Sequence, residues 1–310
     1  MKLLKKIKKL TFLEVVFISL LGILLWQCLF KSNKEGFVEI KKEFIKKSGP
    51  DIYDDFYVSV YDKLVHNNNR VGYEINTILE DSSPHANILD VGSGTGHHVN
   101  FLNKNNNTVI GIDNSPAMIK IAKRNYPKLN FKLGDVLTSS EFAPESFTHI
   151  SCLYFTIYYI KDKKQFFENC FNWLQPNGVL VLHLVNIHKF DPVIPIADPF
   201  IIVSPQTYAP KRITESIVNF DVLDYKSDFE LDSTINANTV IQPNSNAIFK
   251  EVFKFKDKKK TRINEHKLYM STQKNILALA RDVGFILKSQ KEMIDIQYEN
   301  NYLYTLEKPS

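Results

Sequence analysis

From residue 86 onward the chain alternates between two hydrophobic periods. Short apolar runs bounded by turn residues predict strands near 86–91, 107–112, 129–133, 147–153 and 178–184. Between them, apolar residues recur at helical spacing and predict helices near 96–104, 115–125 and 162–173. Strand–helix alternation at this period implies an α/β, doubly wound, mostly parallel sheet covered on both faces. Upstream, Val71, Ile75 and Ile78-Leu79 give Arg70–Glu80 an apolar helical stripe. After His183-Leu184-Val185-Asn186 the alternation stops. Asp191-Pro192, Ile194-Pro195, Asp198-Pro199 and Ala209-Pro210 punctuate a loop with no room for a helix. Three β-like runs follow, Ser216–Tyr225, Thr239-Val240-Ile241 and Ala247–Phe255, and predict a small antiparallel insertion within about 190–266. A last helix over Thr272–Val283 and two closing strands, from Gly284-Phe285-Ile286 and Tyr302-Leu303-Tyr304, complete the pattern.

The first thirty residues follow neither period. Thr11–Phe30, TFLEVVFISLLGILLWQCLF, is predominantly apolar and holds a single charge, Glu14, near one end. As a helix it would span about 30 Å, the thickness of a bilayer's hydrocarbon core. Trp26 suits a membrane interface. A cleaved signal peptide and a buried helix are the alternatives, but no small-residue cleavage site follows the apolar stretch. The expected division is therefore a basic tail at 1–10, a transmembrane anchor at 11–30, a juxtamembrane linker at 31–65 and the α/β domain at 66–310. Five lysines precede the span and six follow it within twenty residues, so the positive-inside bias nearly cancels.

Locating the charge changes its meaning. The net charge of +5 comes from residues 1–50, which hold eleven lysines against four glutamates. Residues 51–310 carry 28 bases against 30 acids, which argues against a nucleic-acid partner. Cys28, Cys152 and Cys170 form no disulfide framework, and the adjacent His97-His98 lack metal-ligand spacing.

The chemistry-bearing motif is Ile88-Leu89-Asp90-Val91-Gly92-Ser93-Gly94-Thr95-Gly96, followed by the apolar run Val109-Ile110-Gly111-Ile112-Asp113. A glycine turn between strand and helix lets a ligand approach backbone N–H groups, and an acid ending the next strand suits ribose hydroxyls. Dinucleotide sites use G-x-G-x-x-G, whereas the third glycine here arrives one residue early. The D-x-G-x-G-x-G form resembles motif I of the class I S-adenosylmethionine-dependent methyltransferases. Later landmarks come in that family's order: Asn114-Ser115-Pro116-Ala117-Met118, Asn130–Val136 with Asp135, Phe147–Ile160, and Leu174-Gln175-Pro176-Asn177-Gly178, where Asn177 replaces a glycine. The insertion after the fifth strand resembles the sugar-amine N-methyltransferases and related type 11 enzymes.

The resemblance implies a seven-stranded sheet and S-adenosyl-L-methionine as methyl donor. It implies that Gly92, Gly94 and Gly96 leave room for the methionine moiety, and that Asp90 orients its ammonium. Asp113 would accept from the ribose hydroxyls and Asp135 from the adenine amine. Met118 would pack on the adenine, and Leu153 would contribute backbone. On the acceptor side, Tyr154, Tyr158 and Tyr159 follow the fourth strand, and His183 ends the fifth, where a base would serve. Tyr57 and Tyr61 resemble lid aromatics, while His149 reads as a packed core residue. The expected activity is methyl transfer to nitrogen or oxygen of a small-molecule or lipid acceptor, on the cytosolic side of a membrane. A Rossmann-type oxidoreductase and a catalytically silent S-adenosylmethionine-binding module are the alternatives.

Overall fold

A computed structural model describes Gly22 and residues 43–80, 85–192, 206, 209–232, 246–257 and 259–310. The chain divides into two units at Lys42/Glu43, and the fold below is that of Glu43–Ser310. The 11–30 span, apart from Gly22, lies outside the described residues, as does the Thr239-Val240-Ile241 run. Among the described residues no helix is long and apolar enough to cross a membrane.

In chain order the elements are β1 (Glu43–Ser48), α1 (Asp55–Val65), α2 (Asn68–Ile78), β2 (Asn87–Val91), α3 (His97–Leu102), β3 (Thr108–Asp113), α4 (Pro116–Asn125), β4 (Asn130–Leu133), β5 (Phe147–Cys152), α5 (Thr156–Tyr159), α6 (Lys163–Trp173) and β6 (Leu174–Val185). The inserted strands β7 (Glu215–Asn219), β8 (Leu223–Leu231), β9 (Ala247–Phe255) and β10 (Lys260–Leu268) follow. The chain closes with α7 (Gln273–Val283), β11 (Ile286–Met293) and β12 (Tyr298–Glu307).

Seven strands form one sheet in the order β11-β12-β6-β5-β2-β3-β4. Pairing is parallel from β6 to β4, and β12 joins β6 antiparallel, with Leu303 opposite His183. The strand order reverses between β5 and β2, which opens a crevice at their C-terminal ends. The helices begin where short polar side chains satisfy first-turn N–H groups: Asp54 accepts from Tyr57, Asn67 from Arg70, Ser115 from Met118 and Asp162 from Gln165. Asn177 lies in the left-handed region at φ +62°, a conformation that asparagine tolerates better than most residues.

The second sheet has the order β1-β10-β9-β8-β7. It departs from the sequence expectation at three places. The run Ser216–Tyr225, read as one β-like stretch, is broken at residues 220–222 between β7 and β8. Residues 43–65, read as part of a linker, are folded: β1 pairs parallel with β10, Glu43 against Lys260, and α1 packs Tyr57 and Leu64 against Leu223, Tyr225 and Phe253. Strand β10 escaped the pattern because its inward positions include Arg262, Asn264 and His266, all buried. Polar residues on the inner face erase the alternation by which a half-buried strand is read.

Candidate functional site

A cavity of about 540 Å³ opens where β2, β3 and β5 end, with α1 and the inserted sheet also contributing to its wall. Its first half is built on the glycine turn. The N–H groups of Gly92 and Ser93 both donate to the Ile112 carbonyl, at 2.8 and 3.0 Å, and fix the turn to β3. Asp113 accepts from Gly94 N–H at 3.0 Å through Oδ2 and from Ser115 N–H at 2.8 Å through Oδ1. One carboxylate thus ties the turn to the start of α4. Burial pushes the Asp113 carboxyl up from its ordinary value, against the pull of these bonds.

The three glycines do different work. A Cβ on Gly92 would meet Thr156 at 2.6 Å, and one on Gly96 would meet Phe131 at 2.7 Å. A Cβ on Gly94 would meet nothing closer than Tyr61, at 3.9 Å. Gly92 and Gly94 line the cavity, and Gly96 does not. The expectation that Gly96 makes room for a ligand is therefore corrected: its missing side chain is filled by the protein's own phenylalanine.

Asp90, Met118, Asp135 and Leu153 all line the cavity. Asp90 is 2% exposed; its Oδ1 accepts from Ser151 Oγ at 2.8 Å, while its Oδ2 has no hydrogen-bond partner among the described residues. Desolvation pushes its carboxyl up. Asp135 accepts from Leu137 N–H at 2.9 Å, leaving its other oxygen for a partner.

Sequence reasoning missed the cluster beneath the turn. Glu74 of α2 is completely buried; His98 Nε2 lies 2.7 Å from its Oε2, and Arg70 Nε lies 3.7 Å away. Burial would raise the Glu74 carboxyl, but His183, His98 and Arg70 outweigh it and hold the group well below its ordinary range. Arg70 lies 3.9 Å over the Tyr154 ring and donates to the Val65 carbonyl, yet its Nη1 has no hydrogen-bond partner among the described residues. The available signal was two charged residues on an otherwise amphipathic helix, at i and i+4.

The second half of the cavity is aromatic, with Tyr53, Tyr57, Tyr61, Tyr154 and Tyr159 on its wall. The lid expectation for Tyr57 and Tyr61 agrees with this position, and α1 is held over the turn by Thr95 Oγ, which donates to Asp62 at 2.7 Å. Two expected acceptor-side residues do not reach the cavity. Tyr158 is fully buried, and its hydroxyl takes the Val185 N–H at 2.9 Å, stitching α5 to β6.

His183 is also fully buried. Asn301 donates through Nδ2 to the Glu299 carbonyl, so its Oδ1 faces His183 Nε2 at 3.1 Å. Nδ1 of His183 takes the Tyr154 N–H at 3.1 Å. Nδ1 also lies 3.3 Å from Glu74 Oε1, so both ring nitrogens are engaged by the protein itself and neither faces an acceptor in the cavity. His183 positions the turn after β5, where Tyr154 sits at φ +52°; it is not a base facing the cavity. His149 is buried in β5, as expected of a core residue.

Comparison with known proteins agrees with this geometry. A methyltransferase-domain family model matches residues 88–178. A dTDP-4-amino-2,3,4,6-tetradeoxy-D-glucose N,N-dimethyltransferase from Saccharopolyspora spinosa is 29% identical over 139 residues, covering 42% of this chain and 55% of the relative. The match thus spans about half of that protein's length. Among solved structures, the CcbJ methyltransferase from Streptomyces caelestis superposes with a TM-score of 0.62 at 12% identity, over 84% of this chain and all of that one. A SAM-bound amino pentose methyltransferase from Micromonospora echinaspora, involved in calicheamicin biosynthesis, superposes with a TM-score of 0.56 at 17% identity, over 82% of this chain and 96% of that one. At such identities the likeness is one of fold. Residues 88–178 thus match a methyltransferase domain, and strand order and glycine turn place it on the fold shared by the S-adenosylmethionine-dependent methyltransferases.

Proposed function

We propose that this domain transfers a methyl group from S-adenosylmethionine to an amine of a small-molecule acceptor of the amino-sugar class. When bound, the sulfonium supplies an activated methyl, so the protein's task is to position the two reactants and exclude water. The observation that carries the donor assignment is a pair of unpartnered buried polar atoms, Asp90 Oδ2 and Arg70 Nη1, on residues that line one cavity. A zwitterionic amino-acid end satisfies both, with its ammonium on Asp90 and its carboxylate on Arg70. Asp113 would then accept from the ribose hydroxyls, Asp135 from the adenine amine, and Met118 and Leu153 would border the base. Gly94 leaves the space that the ligand needs.

The amine acceptor is supported by the N,N-dimethyltransferase activity named for the Saccharopolyspora relative, and by an aromatic wall better suited to a neutral ring than to a phosphate. Thr11–Phe30 would tether the domain to a membrane, with catalysis on the cytosolic face where the donor is found. Calorimetry of the full chain against S-adenosylmethionine and NAD tests the donor. Tight binding of the first and none of the second is expected, with Asp90→Asn and Arg70→Met each weakening it tenfold or more. Wild-type affinity in both variants would overturn the assignment.

A further inference from the structure

The inserted sheet carries a second buried polar cluster, separate from the glycine turn. Glu251 on β9 and His266 on β10 both face inward and are 0% and 2% exposed. His266 Nε2 lies 2.8 Å from Glu251 Oε2, and His266 Nδ1 lies 2.9 Å from the Tyr159 hydroxyl. Glu251 also accepts from Asn264 Nδ2 at 3.1 Å and from the Tyr225 hydroxyl at 2.9 Å. Burial would raise its carboxyl, but the bonds and charge of His266, with Asn264 and Tyr225, hold it below the ordinary value. An ionised carboxylate only accepts. Nε2 of His266 must therefore carry a proton, and Nδ1 is left to take the Tyr159 O–H. This chain of bonds ends on the cavity wall, which both His266 and Tyr159 line.

A sheet needs no such cluster to hold together, since apolar residues of similar volume would serve at lower desolvation cost. Other titratable groups facing the imidazole are Tyr53 and Tyr57, with ring centroids at 6.0 and 5.7 Å. Arg262 reaches the cluster only through Asn264, at 2.8 Å. Glu251 is thus the charged group in contact with His266.

We infer that Glu251, His266 and Tyr159 form a proton relay, supplied largely by the insertion, that deprotonates a primary or secondary amine acceptor arriving as its ammonium ion. The inference rests on reading the cavity as a methyl-transfer site. The ammonium N–H donates to Tyr159 Oη. Its proton moves to that oxygen as the phenolic proton passes to Nδ1 of His266, and the resulting imidazolium is stabilised by Glu251. The freed nitrogen lone pair forms the N–C bond while the carbon–sulfur bond breaks with its electrons going to sulfur. His266 later returns the proton through Tyr159 to solvent. Burial pushes the Tyr159 phenol up from its ordinary value, so a phenolate does not accumulate and the imidazole is the group that holds the proton. Glu251 acts through His266 and is a positioning residue.

The test uses the full chain with S-adenosylmethionine and a dTDP-linked 4-amino sugar. General-base catalysis contributes about 10²–10⁴-fold. Tyr159→Phe is therefore expected to lower kcat by about a hundredfold or more while S-adenosylmethionine affinity by calorimetry stays within threefold. Glu251→Gln should move the acid limb of the kcat/KM profile to lower pH, because the imidazolium loses its counter-charge. Long-range 1H–15N spectra of the wild type should give His266 as the Nε2–H tautomer, a result that depends neither on turnover nor on a variant folding. An Nδ1–H tautomer refutes the relay, as does a Tyr159→Phe enzyme that keeps normal turnover and an unchanged pH profile. A wild type that binds no S-adenosylmethionine refutes the underlying reading instead.

Discussion

A single methyl group separates the glycine that serves a ligand from the glycine that serves the fold. At Gly94, φ is +54° and an added Cβ meets only ordinary contacts, Tyr61 at 3.9 Å being the nearest, so Gly94→Ala costs the left-handed backbone alone, about 1–2 kcal/mol. At Gly96, φ is +92° and the Cβ would come within 2.7 Å of Phe131 Cζ and 3.1 Å of Tyr126. Gly96→Ala therefore adds overpacking, about 1–3 kcal/mol more, to the same backbone cost. With Tm moving by roughly 2–4 °C per kcal/mol in a domain of this size, Gly94→Ala should lower Tm by about 2–8 °C. Gly96→Ala should lower it by roughly twice as much or more. Calorimetry inverts the order. Gly94→Ala points its methyl into the ligand's space and should weaken S-adenosylmethionine at least tenfold, about 1.4 kcal/mol. Folded Gly96→Ala should bind within a few-fold of wild type. Differential scanning fluorimetry and titration calorimetry on the two variants give both numbers. Unchanged affinity in Gly94→Ala, or weak binding by Gly96→Ala without thermal loss, would refute the division of labour.

Three further outcomes are expected. Glu74→Gln leaves Arg70 and His98 buried without their counter-charge and should cost about 3–5 kcal/mol by urea denaturation. Because the Glu74 carboxyl is depressed in the folded state, wild-type stability from this group is present above its ordinary value and is lost as pH falls, a loss the variant should not share. Lys163, buried with its ammonium on the Ile160 and Tyr269 carbonyls, is pushed down to about 7 by burial. The unfolded chain then binds the extra proton between about pH 7 and 10.5, so stability should rise with pH through that window, and Lys163→Met should flatten the rise in pH-dependent melting. The full chain should stay with membranes through a carbonate wash, and release by high salt alone would show that its lysines merely hold it to the surface.

The parallel part of the fold was legible because its strands are buried on both faces and its helices carry clean caps. Strand β2, Asn87–Val91, reads as a short apolar run closed by an acid and a glycine turn, and the acid of β3 marks its own end. The inserted sheet was only partly legible. Its strand β8 alternates, but β10 turns arginine, asparagine and histidine inward, and β1 contributes only six residues from a lysine-rich stretch. The site divides the same way. Asp90, Gly94 and Asp113 are set by a local strand–turn–helix and could be read from spacing. His266 and Glu251 meet Tyr159 only through pairing across a hundred residues, which no spacing records. His183 misled for a related reason: a histidine at a strand end looks like a site residue until Asn301, from a distant strand, takes its second nitrogen.

That bond from His183 to Asn301 has a bearing on biosynthesis. The cavity's walls come from residues preceding Met270, yet the turn that carries Leu153 and Tyr154 is braced by His183, whose orientation depends on Asn301 in β12. During synthesis the glycine turn, both acids and the aromatic wall all leave the ribosome before their brace does. A nascent chain arrested ahead of β12 would hold every cavity residue, and His183 too, while lacking the Asn301 bond that orients His183. Competence to bind a ligand is thereby tied to translation of a strand that never touches it.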